Sequence, residues 1–233
     1  MIHRYLLPVA FLAAACGGEN KPPAPAPIAV VPEAAAPVPT APAAGPEVLL
    51  RGTVHLEPRL EFRSCESGTI VTALDSTGGR LVSTYRLMQA SNDPGMYVLA
   101  RGARAGNGGV VLREIEVASI PTAAEGCNQP QPNADIIVRG GKPDWGLTIS
   151  RSGIEFSQGA DPIIVLPAVT PTGGAGTSRY EVAAGPGNTH TLQLDLTDGA
   201  CNLGAKSVYA AMRATMVLDG KSLSGCAWRT RLP

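Results

Sequence analysis

VLLRGTVHL (48–56) and RLEFRSC (59–65) read as β-strands, and TIVTAL (69–74) follows a Ser67-Gly68 turn as a third. RLVSTYRLMQA (80–90) then places Leu81, Tyr85 and Met88 at i, i+4 and i+7, the spacing of one helical face. Asn92, Asp93, Pro94 and Gly95 make a turn, and MYVLARG (96–102) and VVLREIEVASI (110–120) are strands again. Three strands, one short helix and two more strands is the order of an OB-like barrel. In the last strand Glu114 and Glu116 alternate with Ile115 and Val117, which predicts that both glutamates sit on a wet face.

Beyond this first unit the pattern stays β. SGIEFS (152–157) and TLQLDL (191–196) alternate apolar and polar residues, the period of a half-buried strand. Asp219-Gly220 between VYAAMRATMVL and KSLSGCAW is a type I′ hairpin signal. The Ala and Met content of 206–218 suits a helix. The alternation of Met212, Ala214, Met216 and Leu218 into that hairpin favours a strand. PAVTPTGGAGTS (167–178) reads as a mobile loop. The fold class expected is therefore mostly β, with two small antiparallel barrel or sandwich domains. The OB-like one spans 47–130 and a disulfide-stapled one spans 134–233.

The N-terminus reads as an address. His3 and Arg4 precede a short apolar stretch, and Ala13, Ala14 and Ala15 precede Cys16. That layout is a secretory signal peptide over 1–15, too short to span a membrane. Its end resembles a bacterial lipobox, which implies that Cys16 is diacylated on sulfur and becomes the mature N-terminus of a membrane-anchored lipoprotein. From Lys21 to Pro46, Pro and Ala dominate, and Pro fixes φ and donates no hydrogen bond. Within the 16–46 linker, the stretch 21–46 is expected to be a semi-rigid tether reaching about 80 Å. Gly17 and Gly18 stand where an Asp would retain a lipoprotein in the inner membrane of enteric bacteria, so the expected destination is the outer membrane, with the domains facing the periplasm.

The chain has 5 cysteines, and lipidation of one leaves four. Pairing inside each expected domain gives Cys65–Cys127 and Cys201–Cys226, in an oxidising compartment that permits them. No Cys-x-x-Cys is present, so the spacing of a zinc ribbon or a thioredoxin-like motif is missing.

Over 233 residues, Lys+Arg and Asp+Glu both number 19, and the net charge of zero argues against a nucleic-acid binder. His55 and His190 are the only histidines beyond the signal segment. His190 with Asp195 or Asp198 can be drawn as a dyad, but no Gly-x-Ser-x-Gly elbow accompanies it. Asp93, Asp161, Asp195 and Asp198 read as turn residues. Gly106-Asn107-Gly108-Gly109 and Gly173-Gly174 open no helix after a strand, so they read as hairpin loops rather than phosphate cradles. The expectation is no catalytic residue, no metal site and no cofactor. Aromatics are 4% of the chain, so Trp145, Tyr85 and Tyr97 stand out as candidate ligand contacts. Trp145 and Trp228 are weighed chiefly as core residues packing against the second disulfide.

Two resemblances add to this reading. Arg51-Gly52, Phe62, Cys65, Ser67-Gly68, Leu81, Tyr85 and Val98 to Gly102 resemble the C-terminal OB-fold domain of NlpE-like envelope lipoproteins. The Cys-x-x-Cys domain of that family has no counterpart here, nor do the roles it carries. Gly140, Gly141, Lys142-Pro143, Trp145 and Ile149, with Cys201, Tyr209, Ala214, Gly220, Leu223 and Gly225-Cys226-Ala227, are similar to an uncharacterised family of bacterial envelope domains. That family runs from a Gly-x-Glu-Pro-x-Trp start to a Gly-Cys-Ala end, and the resemblance implies no activity. Together these observations predict a non-catalytic envelope lipoprotein that binds an envelope protein or peptide as a sensor or accessory factor. The alternatives are an inhibitor of lysozyme-like wall hydrolases and a peptidoglycan- or oligosaccharide-binding module.

Overall fold

The computed structural model describes residues 45–91, 93–121, 126–187, 189–204 and 208–232. The signal peptide, the lipidated Cys16 and nearly all of the tether lie outside the described residues. No helix among the described residues is long and apolar enough to cross a membrane.

The first half is a closed five-stranded barrel. Its strands are β1 (Val48–His55), β2 (Glu61–Ser64), β3 (Ile70–Asp75), β4 (Met96–Arg104) and β5 (Val110–Ser119). β1 pairs with β2 and β4, β2 with β3, and β4 with β5, all antiparallel; a parallel β3–β5 ladder closes the ring. With α1 (Arg80–Leu87) between β3 and β4, this is the OB-like order read from the sequence. Leu81, Tyr85 and Met88 enter the barrel core together with Leu50, Val54, Phe62, Met96 and Leu112. The N-cap residue Gly79 has no side chain to cap the helix, and Thr77 supplies a capping oxygen instead. The Thr77 N–H and hydroxyl donate to Asp75 Oδ1, and its Oγ1 accepts the Leu81 N–H at 2.9 Å.

The second half is an antiparallel meander: β6 (Ile136–Gly140), β7 (Trp145–Ser150), β8 (Gly153–Gln158), β9 (Ile164–Leu166), β10 (Thr177–Ala184), β11 (His190–Leu203), β12 (Val208–Leu218) and β13 (Lys221–Arg229). A β6–β13 ladder joins its two ends, and β9 lies against β10. The alternating residues read from the sequence form its core: Ile154, Phe156, Leu192, Leu194, Leu196, Met212, Ala214, Met216 and Leu218. The ambiguous segment is strand β12. Asp219 and Gly220 have φ of 49° and 79°, the left-handed pair that a type I′ turn needs. Residues 177 and 178, read as loop, begin β10 instead. Thr172 is bridged to Arg179, with backbone N–H···O bonds of 2.9 and 2.7 Å in the two directions.

β12 joins the halves. Val208–Ala210 pair with β5, Met212–Leu218 pair with β13, and Tyr209 enters the core of the first barrel. One sheet therefore takes in all the described strands, and the described residues belong to a single compact unit.

Trp145 is 2% exposed and tilted against Phe156 at a centroid distance of 6.0 Å. It covers its ladder partner Gly140, where an added Cβ would stand 1.8 Å from the indole Nε1. Gly140→Ala therefore has to expel a core indole. The expected cost is about 3 kcal/mol, the upper end for overpacking, read as a lower urea midpoint with unchanged slope.

Candidate functional site at the seam

Between the halves lies a cluster of Leu99, Val117, Ala134, Ile137, Ala210, Cys226 and Trp228, with Cys201 packed against it. The expected pairs are both bonded, Cys65–Cys127 and Cys201–Cys226. Trp228 and the second disulfide share this cluster, whereas Trp145 lies in the meander core.

A register shift in β5 builds the polar side of the seam. Leu99 pairs with Val117 and Ala100 with Ile115, so Glu116 is the extra residue of a bulge. The bulge breaks the alternation and turns Glu116 inward, so the expected wet position is fully buried while Glu114 stays half-exposed. Glu116 Oε1 lies 2.8 Å from Arg101 Nε, without the N–H alignment of a hydrogen bond. Its Oε2 accepts the Arg229 backbone N–H at 3.1 Å and sits 4.0 Å from the Arg229 guanidinium. Arg101 also pairs with Glu114, and Arg229 with Asp198 at 2.8 Å. Burial pushes the Glu116 carboxyl above its ordinary value, against the pull of that N–H and the two guanidiniums.

Next to this network is a pocket of about 100 Å³. Leu99, Val117, Ile137 and Trp228 give it an apolar floor, and Ser119 and Arg139 are among its polar lining. One wall is the segment Gly126 to Pro132, held at its start by the Cys65–Cys127 bond. Arg51 holds the same wall. Its NH2 donates to the Gly126 carbonyl at 2.9 Å and to the Gln129 carbonyl, and its Nε donates to Tyr97 Oη at 3.1 Å. The Ser119 hydroxyl is buried and has no hydrogen-bond partner among the described residues.

The three aromatic candidates separate. Tyr97 lines this pocket. Tyr85 lines an open groove of about 530 Å³ between α1 and the β1–β2 connection, and burial raises its phenol pKa. Trp145 is sealed in the core of the meander.

His190 Nδ1 is 2.9 Å from Asp219 Oδ2, not paired with Asp195 or Asp198. The two drawn partners are strand residues rather than turn residues. Asp195 holds Arg179 at 2.6 Å, and that arginine keeps its carboxyl below the usual range; Asp198 holds Arg229. His55 Nε2 lies 3.3 Å from Thr53 Oγ1. No group of three or more His, Cys, Asp or Glu among the described residues is placed to hold a metal.

The sequence reading missed Arg51, Ser119, Arg139 and the wall at 126–132. The wall left a signal in Gln129-Pro130-Gln131-Pro132, a Pro-rich run that starts two residues after Cys127. No family model matches the chain, and neither a curated protein nor a solved structure matches it.

Proposed function

We propose that this chain is a non-catalytic lipoprotein of the bacterial outer membrane that binds an envelope protein or peptide as a sensor or accessory factor. The seam pocket carries the reading. An apolar floor ringed by a few hydrogen-bonding groups is the make-up of a recognition site. The lipobox-like Ala-Ala-Ala-Cys at 13–16 and the Pro/Ala tether support the anchoring half of the proposal. The test combines both halves. Labelled palmitate is expected in the wild-type chain and absent from Cys16→Ala, which leaves the membrane pellet. Crosslinking of the anchored full-length chain in its own envelope is expected to capture one stoichiometric partner, with an unrelated tethered domain as control. Label in both chains sinks the anchor, and no enriched protein sinks the partner.

One observation favours a second reading, inhibition of lysozyme-like wall hydrolases. Most of the 167–176 segment is exposed, and the bridge from Thr172 to Arg179 closes an exposed turn at 173–177 that could enter a cleft. That reading predicts loss of lysozyme activity on mixing.

A further inference from the structure

We propose that the seam pocket takes the C-terminal residue of a peptide, with its apolar side chain on the floor and its carboxylate at Arg139. The inference rests on the binding reading above and names the ligand chemistry of that site.

Size limits the occupant first. About 100 Å³ is well under the roughly 300 Å³ at which pockets enclose drug-sized ligands. It approaches the roughly 150 Å³ apolar cavity that accepts a single benzene ring. It seats at most one apolar side chain, partly open to solvent, and does not enclose a long acyl chain or a disaccharide. Trp228, Leu99, Ile137 and Val117 supply the matching apolar surface.

Polarity then limits what that side chain is attached to. Ser119 is 1% exposed, and leaving its hydroxyl unpaired is costly unless a ligand completes it. Arg139 lines the rim of the same pocket from an exposed position on β6, its side chain leaning across Gly146 of β7, and no ion pair or hydrogen bond of its guanidinium occurs among the described residues. The other lining arginine, Arg51, is engaged in bonds to the wall and to Tyr97. A free cation beside an apolar socket complements an anion carried on an apolar group. A peptide C-terminus presents both, and capture of a terminal carboxylate is a recurring recognition mode. An arginine fork suits a carboxylate in particular.

The probes are Ac-Gly-Gly-Phe with a free carboxylate and the same peptide as its C-terminal amide, added to the full-length chain in detergent. The readout is the pair of Trp indole N–H signals. The expected result is a saturable shift of the Trp228 signal by the free acid in the millimolar range or tighter, with the Trp145 signal unmoved as an internal control. The amide is expected to bind about tenfold more weakly, and Arg139→Gln to erase that preference. Ser119→Ala is expected to weaken both peptides about fivefold. An unmoved Trp228 signal at about 10 mM, or equal binding of acid and amide by the wild type, overturns the assignment. Arg139 is exposed, so its replacement leaves the fold in place, and unchanged dispersion of the remaining signals verifies that. Crosslinking distinguishes the two levels. A captured partner that Arg139→Gln retains, with no peptide binding, removes this inference and leaves the binding reading standing.

Discussion

Replacing Glu116 with Ala is expected to cost about 3 kcal/mol, because it leaves two guanidiniums facing each other in the seam without the carboxylate between them. The figure is the low end for a broken buried ion pair, since Arg101 keeps Glu114 and Arg229 keeps Asp198. Glu116→Gln is expected to cost less, about 1 kcal/mol, because an amide oxygen still accepts the Arg229 backbone N–H. Both variants remove the titrating carboxyl, so each differs from the wild type in pH dependence. The folded-state pKa of Glu116 is raised, so the folded chain holds this proton to higher pH than the unfolded chain does. Its contribution to stability is fully present below the ordinary glutamate value and is lost as pH rises through the raised one. Urea midpoints measured from neutral pH down to about 4.5 are expected to rise for the wild type and to stay flatter for Glu116→Gln. The lowered carboxyls of Asp195 and Asp219 act with the opposite sign, losing stability only as pH falls through values below the usual aspartate range. A wild-type profile matching that of Glu116→Gln would show that the buried carboxyl does not titrate in this window.

The second large effect is expected at the Cys65–Cys127 bond. It spans 62 residues, for which chain entropy gives about 4 kcal/mol. For a folded unit of this size that corresponds to a fall of about 12 °C in melting temperature. The paired variant Cys65→Ala/Cys127→Ala also frees the start of the 126–132 wall, so hydrogen exchange is expected to rise along that wall ahead of global unfolding. Arg51 is the remaining clamp. If the wall stays protected while the melting temperature falls, the arginine alone holds it. Cys201–Cys226 closes a shorter stretch of 25 residues and is expected to contribute slightly less.

The barrel was legible because each element carries its own local signal. Leu81, Tyr85 and Met88 mark one helical face, and alternating residues bounded by Gly or Pro turns mark the strands. The same holds for β12, where Met212 to Leu218 alternate and Asp219-Gly220 sets the register of the hairpin. Glu116 was misread for a physical reason. Alternation alone puts it beside Glu114 on the wet face, and only the partner strand reveals the extra residue that turns it inward. The seam pocket was illegible on the same ground. Tyr97 was singled out for its type, but Arg51, Ser119, Arg139 and Trp228 come from four separate strands. They meet only once β5 is laid on β12 and β6 on β13. The His190 partner was missed because Asp219 reaches it across the β11–β12 ladder, while nearer aspartates on the same strand look closer in sequence.

The tyrosine that β12 places in the first barrel bears on how the two halves fold. All five barrel strands and the helix come before residue 120, yet the barrel interior is complete only with Tyr209. That contact joins segments far apart in sequence. The first half can collapse by itself but reaches its final packing only when β12 docks, so the two halves are expected to unfold together rather than one after the other.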